Sequence, residues 1–365
     1  MISWIRTVRR PTSAAAAGLL SAGLMAGCAQ PVDAPGSPLD GLHACPAAGA
    51  VIGVFTGQEA TPARGDGPQA QGLDTWALNV SGTVRRLTDD GVHLGAVISP
   101  DGLAVYQLRS SGRLQGDSLE APSVVEWLDV RSGRATQVAQ LPAIVDLAVS
   151  GDGRWLAAAH TVESHPDTGL DLNSVAVIDL AAADAVRELP RAPDVSADVF
   201  SAVTQVALSP DGDRLAYALA VEVRRGTVVN TLRIRDLATG SDAVVYTAQG
   251  TDFISDLAWS PDGATVVAAI RYQQAGDTVE SAARFRTLRV DVAGAATTVD
   301  DAYAQDFSPR SLDGDTLLGL APAPGAQGDP RGRALISWDH RRGVSDRLSI
   351  GHGAAGISVA SCSYR

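Results

Sequence analysis

The 365-residue chain has no lysine, and all 29 of its basic residues are arginine. Glutamate is also scarce: 7 of the 41 acids are Glu and 34 are Asp. Glu and Lys are the residues that favour helix interiors, so their shortage speaks against a helical bundle. The basic deficit, a formal net charge of -12, speaks against nucleic acid as a partner, because phosphate binding needs a basic surface. Linear catalytic motifs are missing too. There is no Gly-x-Ser-x-Gly elbow, no His-Glu-x-x-His, no phosphate loop and no Cys-x-x-Cys pair. The six histidines (His43, His93, His160, His165, His340, His352) show no metal-ligand spacing. No cofactor is therefore expected, and no catalytic residue is assigned. What the chain has in quantity is Asp and 37 Gly, both turn formers.

Residues 1–27 read as a lipoprotein signal peptide. Arg6, Arg9 and Arg10 precede the apolar run Ala14–Met25, whose 12 residues fall short of the ~20 that span a bilayer. Leu24-Met25-Ala26-Gly27-Cys28 then resembles a bacterial lipobox, with Cys28 as the lipidated residue. Residues 28–44 are Pro-rich and polar, a tether that reaches ~50 Å when fully extended. Without residues 1–27 the chain keeps 26 basic and 41 acidic residues, net -15.

Two interlocked repeats fill the rest. One is Ser99-Pro100-Asp101-Gly102, with further copies at Ser150-Gly151-Asp152-Gly153, Ser209-Pro210-Asp211-Gly212 and Ser260-Pro261-Asp262-Gly263. A degenerate copy starts at Ser308-Pro309. Apolar runs flank most copies. Pro presets a turn torsion, Asp bonds back to the chain and Gly takes positive φ, so each copy predicts a tight hairpin between two strands. The second repeat is an Asx turn closing an apolar strand, centred on Asn79, Asp129, Asp179, Asp236, Asp291 and Asp339. Two alternating hairpins per ~50 residues make a four-stranded antiparallel sheet, the unit of a β-propeller.

Six copies of one hairpin against five of the other predict an all-β, six-bladed β-propeller over residues 45–365. In one blade the chain both begins and ends. Val51–Phe55, Thr75–Leu78 and Thr83–Leu87 supply three strands of that blade, and Gly356–Ala360 the innermost. Cys45 and Cys362 flank the missing inner hairpin, so a Cys45–Cys362 disulfide is expected to replace it in an oxidising compartment.

The apolar-apolar-Ser-Pro-Asp-Gly pattern, together with Arg85-Arg86-Leu87-Thr88-Asp89-Asp90, resembles the TolB-like (PD40, or WD40-like) bacterial propellers over most of Leu73–Ser311. That family's namesake carries an extra N-terminal domain; here only the tether precedes the propeller. The resemblance implies an extracytoplasmic, periplasmic or cell-surface binding module. The expected protein is then a monomeric propeller, lipid-anchored to a bacterial membrane, that binds a protein, peptide or envelope component. The alternative is a hydrolase or lyase acting on an envelope polymer at the channel mouth, because a fold does not assign an activity.

Loop geography suggests where binding occurs. The inner and outer turns share one face, and the longer connections open on the other. The blade-to-blade connections there carry Asp89, Asp90, Asp194, Asp198, Asp252, Asp300 and Asp301, which are expected to ring the channel mouth with negative charge. Asp used simply as a solubilising turn residue explains the same positions. His160, His165, Glu163, Asp167 and Asp171 share a stretch that suits either weak cation binding or a solvated acidic loop. Trp76, Trp127, Trp155, Trp259 and Trp338 fall on expected strands and read as interblade core.

Overall fold

A computed structural model describes residues 44–57, 73–110, 123–164, 171–182, 185–196, 199–224, 227–272, 284–292, 296–299, 306–311, 316–322, 333–339, 344–349 and 355–360. Among these, the strands form six four-stranded antiparallel sheets. The first holds β1 (Gly53–Gly57), β2 (Asp74–Leu78) and β3 (Val84–Arg86). The second is β4 (His93–Ile98), β5 (Ala104–Ser110), β6 (Ser123–Asp129) and β7 (Ala135–Leu141). The third is β8 (Ile144–Val149), β9 (Trp155–Ser164), β10 (Asp171–Asp179) and β11 (Val186–Glu188). The fourth is β12 (Ser201–Leu208), β13 (Arg214–Arg224), β14 (Thr227–Asp236) and β15 (Asp242–Thr247). The fifth is β16 (Phe253–Trp259), β17 (Thr265–Tyr272), β18 (Arg284–Asp291) and β19 (Ala296–Val299). The sixth is β20 (Asp306–Ser311), β21 (Thr316–Pro322), β22 (Arg333–Asp339) and β23 (Val344–Ser349). β24 (Ala355–Val359) pairs antiparallel with β1 and completes the first sheet from the C-terminal side. The molecule is a β-propeller of four-stranded antiparallel blades.

Local chemistry explains the hairpins. In the inner turn the Ser209 hydroxyl donates to Asp211 at 2.5 Å and accepts the Arg214 N–H at 2.9 Å. Ser99, Ser150 and Ser260 repeat both bonds. The outer turns use the Asx side chain as acceptor: Asp236 takes the N–H groups of Ala238 and Thr239 at 3.0 and 2.7 Å. Such local side-chain bonds are why these residues recur in turns. One expected turn is displaced. β20 runs on through Ser308-Pro309 to Ser311, with a register irregularity between Phe307 and Ser311. The degenerate copy therefore begins inside the strand, where Pro supplies no N–H to the ladder and suits an irregular register.

Apolar side chains from facing sheets fill the seams between blades. Trp259 is buried and donates its indole N–H to Ala207 O at 2.9 Å, across the seam between the fourth and fifth sheets. Trp76 is likewise core, and Trp127 and Trp155 pack against buried clusters. The Trp338 side chain lies outside what is described. The inner turns also interlock. A Cβ on Gly151 would meet Pro210 Cα at 2.9 Å, which explains why this copy has Gly where the others have Pro.

Candidate functional site: the channel and its mouth

Each innermost strand of the first five sheets carries a β-bulge at a matching register. The extra residues are Leu94, Val145, Thr204, Ser255 and Gly356. A bulge bends its strand and re-aims the residues beside it, and bulges recur next to functional sites. The residues after four of these bulges, Gly95, Asp146, Gln205 and Asp256, line a central cavity of about 280 Å³. Each opposes the fifth residue of the second strand in its sheet: Leu108, Ala159, Ala218 and Ala269. Asp306 holds the same register position on β20, opposite Leu320. Asp146 accepts the Val206 N–H at 2.7 Å, tying β8 to β12 across the channel wall.

The cavity runs from Leu94 and Val145, at the long-loop end, to Val149 and Leu208 beside the inner turns. Below it the space shrinks to a pocket of about 30 Å³ bounded by Pro100, Gly151, Pro210 and Pro261. The repeated turns thus narrow one end of the channel.

Four of the seven acids expected at the mouth are described, and three of these four are engaged. Asp90 Oδ1 lies 2.8 Å from His93 Nε2, and its other oxygen 3.8 Å from Arg109 Nε. Asp194 receives both terminal nitrogens of Arg233, at 2.6 and 3.2 Å, and that bonding holds its carboxyl below the usual carboxylate range. Asp252 pairs with Arg286, yet burial outweighs this cation and pushes its carboxyl up. Asp89 is exposed. Asp198, Asp300 and Asp301 lie outside the described residues, as do Cys28 and Cys362. Cys45 is described and buried, its Sγ 3.8 Å from Val51 O. These links pin inter-blade connections to the blade that follows, so three of the mouth acids carry partly compensated charge rather than a bare negative field.

His160 is buried and bonded to Glu188 at 3.0 Å, while His165 and Asp167 lie outside the described residues. Among the described residues no three His, Cys, Asp or Glu gather as a metal site. The reading from sequence missed Asp146, Gln205 and Asp256, although each stands four residues before a motif Ser (Ser150, Ser209, Ser260), a register the repeat itself supplies. It also missed Asp74, buried, paired with Arg86 at 2.5 Å and accepting the Gly91 N–H; no repeat marks that position.

The chain matches no family profile and no curated protein. Solved structures do align with it. TolB from Acinetobacter baumannii superposes with a TM-score of 0.58 at 13% identity, over 85% of this chain and 66% of its own. The chain therefore spans just under two thirds of that protein. Oligogalacturonate lyase from Vibrio parahaemolyticus gives 0.51 at 10% identity, over 76% and 71% of the two chains. An oligogalacturonate lyase in complex with manganese gives 0.50 at 14%, over 76% and 70%. These likenesses show a shared fold. TolB and proteins named as lyases both have it, so the site has to be argued from its own residues.

Proposed function

We propose that this chain is an exported propeller, tethered to a membrane through lipidated Cys28, which binds a protein, peptide or envelope component at its long-loop face. The carrying observation is the inequality of the channel's two ends. A cavity of about 280 Å³ lined by Asp146, Gln205 and Asp256 reaches the long-loop end, whereas Pro and Gly of the inner turns leave about 30 Å³ at the other. Concave surface with a few polar groups on an otherwise apolar wall is where ligands bind. The enzymatic alternative requires a convergent acid and base, and Asp146 is instead engaged by the Val206 backbone.

The six sheets are read as six blades of one closed ring, supported by successive contacts from β4 through β8, β12, β16 and β20 to β24 and back to β4. The Cys45–Cys362 bridge is supported by the disulfide-bonded state of Cys45. Its neighbourhood fits as well: Ala360, two residues before Cys362, packs in the same cluster as Cys45 and donates its N–H to Ile52 O at 2.8 Å. The export and tethering part is tested by fractionation. Cys28→Ala should release the chain from membranes; retention after a salt wash would refute lipid anchoring.

A further inference from the structure

A second cavity, separate from the channel, lies in the seam between the third and fourth sheets. It measures about 240 Å³ and takes Val162, Leu172, Val203 and Leu219 among its apolar walls, with Tyr217 and Arg235 reaching it from β13 and β14. Behind them is an unusual charge cluster. The Asp242 carboxylate has no exposed surface and is shared by two buried guanidinium groups, Arg233 Nε at 2.8 Å and Arg235 Nε at 2.7 Å. The Tyr217 hydroxyl donates to the same carboxylate at 2.5 Å. Burial, then this carboxylate, hold the Tyr217 phenol well above its ordinary range, so it stays a neutral donor.

Two buried cations share one buried anion. The second acid, Asp194, is bound to Arg233 but is 58% exposed, so water screens it. Among the described residues Arg235 has no carboxylate besides Asp242. Its remaining contacts are neutral carbonyls, Pro190 O at 2.5 Å and Arg191 O at 3.4 Å. A guanidinium has five N–H donors; with a further contact from Nη2 to Asp242 at 2.6 Å, four of Arg235's are used and one Nη1 hydrogen is left without an acceptor among the described residues. Glu188 also borders the cavity; its carboxylate is hydrogen-bonded to His160 at 2.9 Å and is 50% exposed, so water screens its charge as it does that of Asp194. The cavity thus has apolar walls and, at its inner end, a desolvated guanidinium whose charge is only shared. That combination is complementary to one small anion with an apolar body, since buried charge is tolerated best when paired and hydrogen-bonded.

We propose that this seam cavity is a binding site for a small aliphatic monocarboxylate, its apolar tail lying between Val162, Leu172 and Leu219 and its carboxylate reaching Arg235. The site is independent of whatever binds at the long-loop face. The probes are hexanoate, hexan-1-ol and hexylamine, titrated calorimetrically into the purified full chain. Hexanoate should bind saturably, at least tenfold tighter than the alcohol, and the amine should not bind. Val162→Trp fills the entrance from an exposed position and should weaken hexanoate at least tenfold while leaving the far-UV circular dichroism unchanged. If that variant fails to fold, Leu172→Trp serves in its place. The proposal is overturned if hexanoate shows no saturable binding, if the alcohol binds equally well, or if the filled variant binds hexanoate like the parent.

Discussion

The two ends of this propeller are made of the same residue types used in opposite ways. At the short-turn end, Asp bonds to a hydroxyl and an N–H two residues away, as Asp211 does to Ser209 and Asp213. At the long-loop end, Asp reaches an Arg far off in the chain: Asp194 to Arg233 and Asp252 to Arg286. The first arrangement repeats from blade to blade and shapes the turn. The second is individual to each blade and ties a connection down. Repetition therefore separates architecture from sites, and candidate binding residues belong where the repeat is broken.

The largest expected effect that sharpens this contrast is at the closure of the short-turn end. Removing a Cys45–Cys362 bridge by Cys362→Ser should lower stability by up to about 4–5 kcal/mol, read by urea unfolding, since so long a loop is released. Non-reducing mass spectrometry should join the two cysteines, and two free thiols would break the closure account. Next, Trp259→Ala should cost about 3–5 kcal/mol, because a buried aromatic and its indole hydrogen bond across a seam are both lost.

Glycine exchanges come third. Gly102 and Gly133 have nearly the same φ, 73° and 68°. A Cβ on Gly102 would stand 2.3 Å from Val51 O, whereas one on Gly133 would meet nothing within 4 Å. Both exchanges carry the backbone penalty of about 1 kcal/mol, but only Gly102→Ala should also disturb the neighbouring blade. Equal midpoint shifts for the two would mean that the inner turns do not stitch blades together.

The smallest effects are in pH dependence, and here Asp252 at the long-loop end differs in sign from the inner-turn acids, whereas Asp194 shares their direction. Hydrogen bonding from Ser209 and Ser260 holds Asp211 and Asp262 below the ordinary carboxylate range. Their contribution is present above the unfolded-state pKa and is lost as pH falls through the depressed folded value. Asp252 is raised by burial, so the folded state takes up its proton first and gains stability as pH falls through that raised value. Asp211→Asn with Asp262→Asn should flatten the acid limb of a stability–pH curve. Asp252→Asn should steepen it.

Much of the fold was legible because its determinants are local. Ser99, Asp101 and Gly102 complete their turn within six residues, and a period of ~50 residues follows from counting such turns. The pairing of β1 with β24 was readable from one hairpin too few. The mouth clamps were not readable, because Asp194 and Arg233 are 39 residues apart and no spacing rule links them. Nor was the channel wall: Asp146 and Asp256 sit just past bulges, and a bulge inverts the alternation by which inward positions are counted. The Asp242 cluster escaped notice because its Arg233 and Arg235 lie in an ordinary alternating strand, Thr231-Leu232-Arg233-Ile234-Arg235.

The central claim is that the long-loop end binds while the short-turn end builds. In-cell photocrosslinking tests it directly, with the crosslinker placed at Val223, exposed at the long-loop end of β13, or at Arg131, exposed in an outer turn. A discrete adduct from position 223 and none from 131 is the predicted result. Adducts from 131 alone, or the same adducts from both positions, would contradict the account.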